Sequence, residues 1–302
     1  MKRKVSKIGQ STLMVSLPHT WVKEHGIEKG DEVEIGTNGA ILEISKTKDK
    51  KKEKKECSIE CNSTYEKVIR MQLNNLYRIG YDRIYVSFKD KKTITQLRHI
   101  VSQYLLGFEI VHEEENQCVI ESLTEPEPER AETLMRKVFF ILIESFHILL
   151  EDMKKKEFER LDEFKELMIR TDRFCNFYSR TLSKEKHLNP FLWSMVQQLL
   201  KTEHSLYYCY KVISESSFRR FNKDIITYIE NSFLIARALE GLYYKQSEHD
   251  IERIVKLRDE LLYRQLPLIQ NTKEGIFVAP FLFDIVKQMP VGRTFGLLSI
   301  RK

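Results

Sequence analysis

The chain has 302 residues, 42% hydrophobic and 31% charged, with 11 Gly, 7 Pro and 5 Cys. Length predicts two or three domains, and the composition excludes collagen-like, linker-dominated or disordered chains. The formal charge of +6 is a small excess of 50 cations over 44 acids, and as a total it says little about partners.

Val5, Ile8, Leu13, Val15 and Leu17 form a short β-leaning stretch interrupted by Gly9. Pro18 suits the first position of a short helix and Gly26 its left-handed stop, with Trp21 and Val22 facing inward. Glu32 to Ile35 alternates polar and apolar, Asn38-Gly39 is a favoured two-residue hairpin turn, and Ala40 to Ile44 returns as the second strand. These elements define a domain at 1–46. Forty-odd residues bury too little surface to stand alone, so dimerisation or docking is expected. Residues 46–55 hold seven Lys against two acids and no apolar side chain, which predicts a solvated, self-repelling linker over 47–55.

A small α/β module is expected over 56–124. Cys57 to Cys61, Arg83 to Phe88, Phe108 to His112 and Cys118 to Ser122 read as strands, and Tyr65 to Ile79 and Thr93 to Leu106 as helices. Cys57 and Cys61 lack the second pair that a zinc knuckle needs, and the scattered cysteines read as free thiols. Glu125-Pro126-Glu127-Pro128 marks an extended joint. Residues 128–302 then read as six helices with short connections, which predicts antiparallel packing. The second spans Phe158 to Leu182, the third Pro190 to Ile213, the fourth Arg219 to Tyr244, the fifth Glu248 to Leu266 and the sixth Ala279 to Met289. A break at Ser214 to Phe218 suggests two groups of three.

Residues 1–23 contain Lys2, Arg3, Lys4, Lys7 and Lys23 and no acid, whereas 24–45 hold six acids and one base. The excess therefore lies in the smallest domain and its linker. Cations on short strands can contact phosphates, and the polar turn residues Gln10, Ser11 and Thr12 can reach base edges. The alternative is a basic tail that serves solubility. His147, His204, Tyr207, Tyr208 and Tyr210 read as helix-packing or rim residues, and Glu203-His204 lacks the second His of a zinc-protease helix. No nucleophile sits in an activating context and no phosphate-cradling loop is present, so no catalytic residue, cofactor or enzymatic activity is expected. Met1-Lys2-Arg3-Lys4 is not followed by an apolar signal core, and the apolar run Val138 to Leu150 is too short to span a bilayer. A cytoplasmic protein is expected.

Four segments together, Lys7-Ile8-Gly9-Gln10-Ser11, Val15-Ser16-Leu17-Pro18, Trp21 to Ile27 and Lys29-Gly30-Asp31-Glu32-Val33-Glu34-Ile35, closely resemble the AbrB/MazE/SpoVT family of swapped-hairpin DNA-binding domains. The resemblance implies an intertwined β-barrel homodimer lying on double-stranded DNA. Lys2, Arg3, Lys4, Lys7 and Lys23 would then face the phosphates, with Gln10 and Ser11 near the bases. Gln10 stands where the AbrB branch usually has Arg, which is nearer to the MazE-like pattern. The remainder resembles archaeal PhoU-type regulators through Leu106-Gly107-Phe108-Glu109-Ile110-Val111, the Cys118 strand and Thr171 to Leu182. This implies a PhoU-like helical domain and a role in phosphate homeostasis. A phosphate transporter or sensor protein is implied as a further partner. PhoU proteins often carry paired carboxylates that bind metal. The nearest pairs here are Asp162/Glu166 and Glu248/Glu252, neither is the full motif, and no metal is assigned. Two further readings are an adaptor that acts by protein contact and, since MazE-like domains serve there, an antitoxin.

Overall fold

A computed structural model describes residues 2–9, 12–38, 41–46, 54–124, 128–185, 189–245 and 251–300. Two units are present, Met1–Lys54 and Lys55–Lys302.

In the first unit, β1 (Ser6–Ile8) pairs antiparallel with β2 (Thr12–Met14), with Lys7 opposite Leu13. Gly9 has φ +69°, which a glycine adopts without the steric cost other residues carry. Helix α1 (His19–Glu24) follows Pro18 and stops where Ile27 N–H reaches back to Val22 O and Gly26 N–H to Lys23 O, with Gly26 at φ +54°. Strands β3 (Val33–Asn38) and β4 (Ile41–Lys46) form the second antiparallel pair. The hairpin differs from expectation by one residue. Asn38 belongs to the strand and pairs with Ile41, so the connection is Gly39-Ala40, which lies outside the described residues. Trp21 and Val22 are half-buried, and Trp21 stacks on His25 with centroids 4.9 Å apart.

The second unit opens with a four-stranded sheet. Strand β5 (Glu56–Cys61) runs parallel to β6 (Arg83–Phe88) through α2 (Glu66–Arg78), and α3 (Lys92–Tyr104) leads to the hairpin β7 (Phe108–Glu114) and β8 (Gln117–Ser122). The order is β5-β6-β8-β7, with β8 antiparallel to both neighbours. Alternation puts Ile84, Val86 and Phe88 of β6 into a core with Ile69, Leu73 and Tyr77 of α2 and Leu97 and Ile100 of α3. All five cysteines are free thiols, four of them buried.

The helices are α4 (Pro128–Lys155), α5 (Leu161–Lys184), α6 (Pro190–Glu215), α7 (Lys223–Lys245), α8 (Ile251–Glu260), α9 (Leu266–Ile269), α10 (Lys273–Gln288) and α11 (Val291–Ile300). One apolar core runs from Met135 to Val291, so the break near Ser216 does not separate two groups of three. Helix α4 packs on α5 and α7, and α6 packs on α5, α10 and α11. The α/β sheet and the bundle belong to the same unit, because α5 packs on α2 and α3.

Several helix ends depart from expectation for identifiable reasons. Phe158 precedes α5 in a loop, buried against Tyr210 and Phe221. Asn222 starts α7 by accepting from Ile225 N–H at 2.9 Å, beyond the expected Arg219. The fifth helix is broken by a π-turn at Leu261–Gln265, where Leu266 N–H reaches Leu261 O. Pro267 has no N–H for the Tyr263 carbonyl, so the ladder rearranges upstream of it. Helix α10 begins six residues before the expected Ala279: Thr272 Oγ1 accepts from Gly275 N–H at 3.0 Å, and Pro280 lies inside the helix rather than at its start. Helix α11 was not anticipated, since Gly292 and Gly296 weaken the helical signal. Gly296 is needed there, because a Cβ would come within 2.6 Å of the Phe191 ring.

The stretch Lys273–Thr294 is long and apolar enough to cross a bilayer by length and composition, a longer apolar run than Val138 to Leu150. Half of its most apolar 18-residue window is buried in the protein, and the stretch runs through α10 into α11.

Candidate nucleic-acid interface

Lys2, Arg3 and Lys4 lead into β1, Lys7 lies on it, and Lys23 sits in the last turn of α1. All five side chains are exposed. Among the described residues no carboxylate lies within ion-pair distance of any of them. Lys46 is different: its ammonium bonds the Gly26 carbonyl and lies 3.4 Å from Asp31, fastening β4 to the loop after α1. The Glu28 N–H donates to the same Asp31 carboxylate, and with Lys46 holds it below the usual carboxylate range. The cations of the first strands thus remain available to an external anion, while the cation of the second hairpin is committed internally. Gln10 and Ser11, expected near the bases, lie outside the described residues.

Apolar groups stand beside these cations in the same condition. Leu13 is 69% exposed, Val5 63%, Ile41 61% and Ile35 58%. No described residue of the first unit is buried. Two hairpins and a six-residue helix in one copy therefore have no core of their own.

Asp162 and Glu166 are both exposed, Glu252 pairs with Lys256 at 2.5 Å, and Glu248 lies outside the described residues. No group of three or more His, Cys, Asp or Glu side chains suited to a metal occurs among the described residues. His147 is an exposed rim residue whose ring meets Phe233 at 4.8 Å.

Sequence reasoning missed a polar layer inside the second unit. Arg78 of α2 donates to Asn176 at 2.7 Å, and His204 of α6 meets Asp172 of α5 at 3.0 Å. Buried Ser145 of α4 donates to Glu203 Oε1 at 2.6 Å, and Glu203 Oε2 has no hydrogen-bond partner among the described residues. Burial, with Asp172 nearby, pushes the Glu203 carboxyl up to about 8 against the Ser145 hydrogen bond. Asp172, Asn176, Arg180 and Lys184 recur every fourth residue on α5, a spacing that puts them on one face. That polar stripe among apolar residues was the available signal.

Residues 7–52 match the family described as antidote-toxin recognition MazE, bacterial antitoxin. No curated protein matches the chain. No solved structure matches it either. The N-terminal unit is thus a MazE/AbrB-type, antitoxin-like domain, followed by a small α/β sheet and a mostly helical region.

Proposed function

We propose that the chain is a homodimeric, cytoplasmic transcription regulator that binds double-stranded DNA through its N-terminal unit and does no catalysis. The observation that carries this reading is a set of five exposed cations with no carboxylate in ion-pair distance among the described residues, Lys7 and Lys23 inside the segment that matches MazE-type domains and Lys2, Arg3 and Lys4 just before it. The exposed Val5, Leu13, Ile35 and Ile41 support the dimer, because a second copy would cover the apolar surface that one copy leaves to water. Gln10 and Ser11 are assigned to base edges and the cations to phosphates. By resemblance alone, the helical region is a PhoU-like sensor of phosphate status whose protein partner is a phosphate transporter or sensor.

The test is duplex binding by the full chain, by fluorescence anisotropy across a salt series. If roughly four cations per subunit contact phosphates, a dimer gives a log K against log salt slope near ~−7. Arg3→Ala with Lys4→Ala should weaken binding to all sequences and flatten that slope. Unchanged binding in the double variant would sink the assignment. Chromatin immunoprecipitation in phosphate-rich and phosphate-poor growth tests the signal separately.

The family description favours one second reading, an antitoxin. Against it, the matched segment is followed by a large folded unit with its own core, whereas antitoxins usually add a short disordered tail. Co-purification of a small toxin with the intact chain, without a DNA shift, would select that reading.

A further inference from the structure

We propose that the second unit binds a small amphipathic monoanion, an apolar chain ending in a carboxylate, in a cavity between its α/β sheet and its helices. The cavity has a volume of about 480 Å³, within the range of pockets that hold small ligands. Its walls are apolar: Leu134 and Phe177 are buried, and Leu106 is half-buried. Its rim carries the hydroxyls of Thr124 and Thr133 and the ammonium-bearing side chain of Lys137, all exposed.

Among the described residues the lining holds one cation and no acid. Among the described residues no carboxylate lies within ion-pair distance of Lys137, whose Nζ sits 5.7 Å from the Phe174 ring centroid. Thr133 and Lys137 are one helical turn apart on α4, so a hydroxyl and an ammonium reach the same mouth. An apolar floor with a single cation at its edge selects a ligand with one negative end and an apolar body. A bare inorganic anion leaves the floor unfilled, and a neutral chain leaves Lys137 unpaired. The open hollow between α3 and β7 is larger, at about 650 Å³, but its arginine is already occupied: Arg98 donates to Glu113 at 2.7 Å.

The position gives such a ligand leverage. Leu106 precedes β7 and Thr124 follows β8, whereas Lys137 lies on α4 and Phe177 on α5, so one molecule touches both parts. The Leu106 carbonyl accepts from Tyr77 Oη at 2.8 Å, and the Tyr77 ring carries the Arg180 guanidinium at 5.2 Å. Occupancy at the cavity therefore bears on the contacts that join sheet to helices. The site stands independently of DNA binding.

Isothermal titration of the full chain with octanoate, 1-octanol and inorganic phosphate tests the inference. Octanoate is expected to bind, 1-octanol to bind more weakly, and phosphate neither to bind there nor to compete. Lys137→Met should weaken octanoate by about tenfold or more while sparing 1-octanol, since it removes a charge-assisted contact and keeps the apolar stem. Thr133→Trp, at an exposed helix position that tolerates a large side chain, should block both. Retained melting temperatures in the two variants establish that they fold. Absence of octanoate binding, equal affinity for 1-octanol, or octanoate affinity unchanged in Lys137→Met would overturn the proposal.

Discussion

Arg180 on α5 donates from Nη2 to the Asp82 carboxylate at 2.5 Å, and only 1% of the arginine side chain is exposed. Its Nη1 donates to the carbonyls of Tyr77 and Tyr81 at 3.2 and 2.6 Å, and its plane lies over the rings of Tyr77 and Phe108. Burial works against the Asp82 charge. The Lys184 ammonium, the Lys55 N–H and the Arg180 guanidinium outweigh it and hold the carboxyl below the usual range. One arginine thus fixes the bundle to the turn that enters β6.

Removing one partner of a buried pair leaves the other uncompensated, which typically costs about 3–5 kcal/mol. Lys184 still reaches Asp82 when Arg180 is gone, so Arg180→Met should fall at the lower end of that range. Asp82→Asn removes the carboxylate that both Arg180 and Lys184 bond and should cost at least as much. Urea unfolding of the two variants and the double variant gives the coupling. Additive effects would show that the pair is incidental to the sheet–bundle contact.

Glu203 predicts a pH dependence of stability. Its carboxyl is raised to about 8 in the folded protein, chiefly by burial and further by Asp172, against about 4.3 in an unfolded chain. Between those values the folded state keeps a proton that the unfolded state has released, so stability falls as pH rises through the window. The slope attributable to this one group approaches ~1.4 kcal/mol per pH unit. Ser145 of α4 and Asp172 and Cys175 of α5 act on it directly, and Arg78 of α2 acts on Asp172 and Cys175. Glu203→Gln keeps a neutral side chain of the same shape and should flatten the dependence. Parallel stability curves for the two proteins from pH 5 to 8 would contradict this.

How much of this was legible in the sequence depends on how far apart the partners lie. Alternation placed β6 at Arg83 to Phe88 without error, because each strand residue reports its own face. Two helix bounds near prolines shifted: Pro280 lies inside α10, whose expected start was Ala279, and Pro267 sits beyond a π-turn, just past the expected end at Leu266. Arg180 lies 98 positions from Asp82, and no local pattern announces a pair at that separation. The N-terminal cations were plain from composition, because a segment with five cations and no acid cannot pair them within itself. The apolar wall at Leu134 and Phe177 has no signal in the sequence, since a helix stripe does not reveal where a neighbouring element stops short.

The exposed apolar groups of the first unit predict how it assembles. Leu13, Ile35 and Ile41 are each more than half exposed. Burying one such side chain contributes roughly 1.5–3 kcal/mol, and a two-fold interface counts every residue twice. Leu13→Asp with Ile35→Asp should raise the dimer dissociation constant by at least about a hundredfold. Light scattering of the full chain would show a monomer at micromolar concentration. A dimer that persists in this variant places the interface elsewhere and removes the argument for a hairpin-built pair.

Lys7 and Lys23 allow a finer test than the paired terminal variant. Each is exposed and free of carboxylates among the described residues, one on β1 and one at the end of α1. Neutralising one phosphate-contacting lysine in a dimer removes two counterion-releasing contacts, and so reduces the salt slope by about 1.8. Lys7→Ala and Lys23→Ala should each produce this change, with affinity lowered by a similar factor on every duplex sequence, because phosphate contacts position and do not specify. Glutamine preserves length without charge and should behave like alanine. A variant that loses affinity with its slope intact has lost a fold contact and not a phosphate contact, and that lysine then leaves the interface.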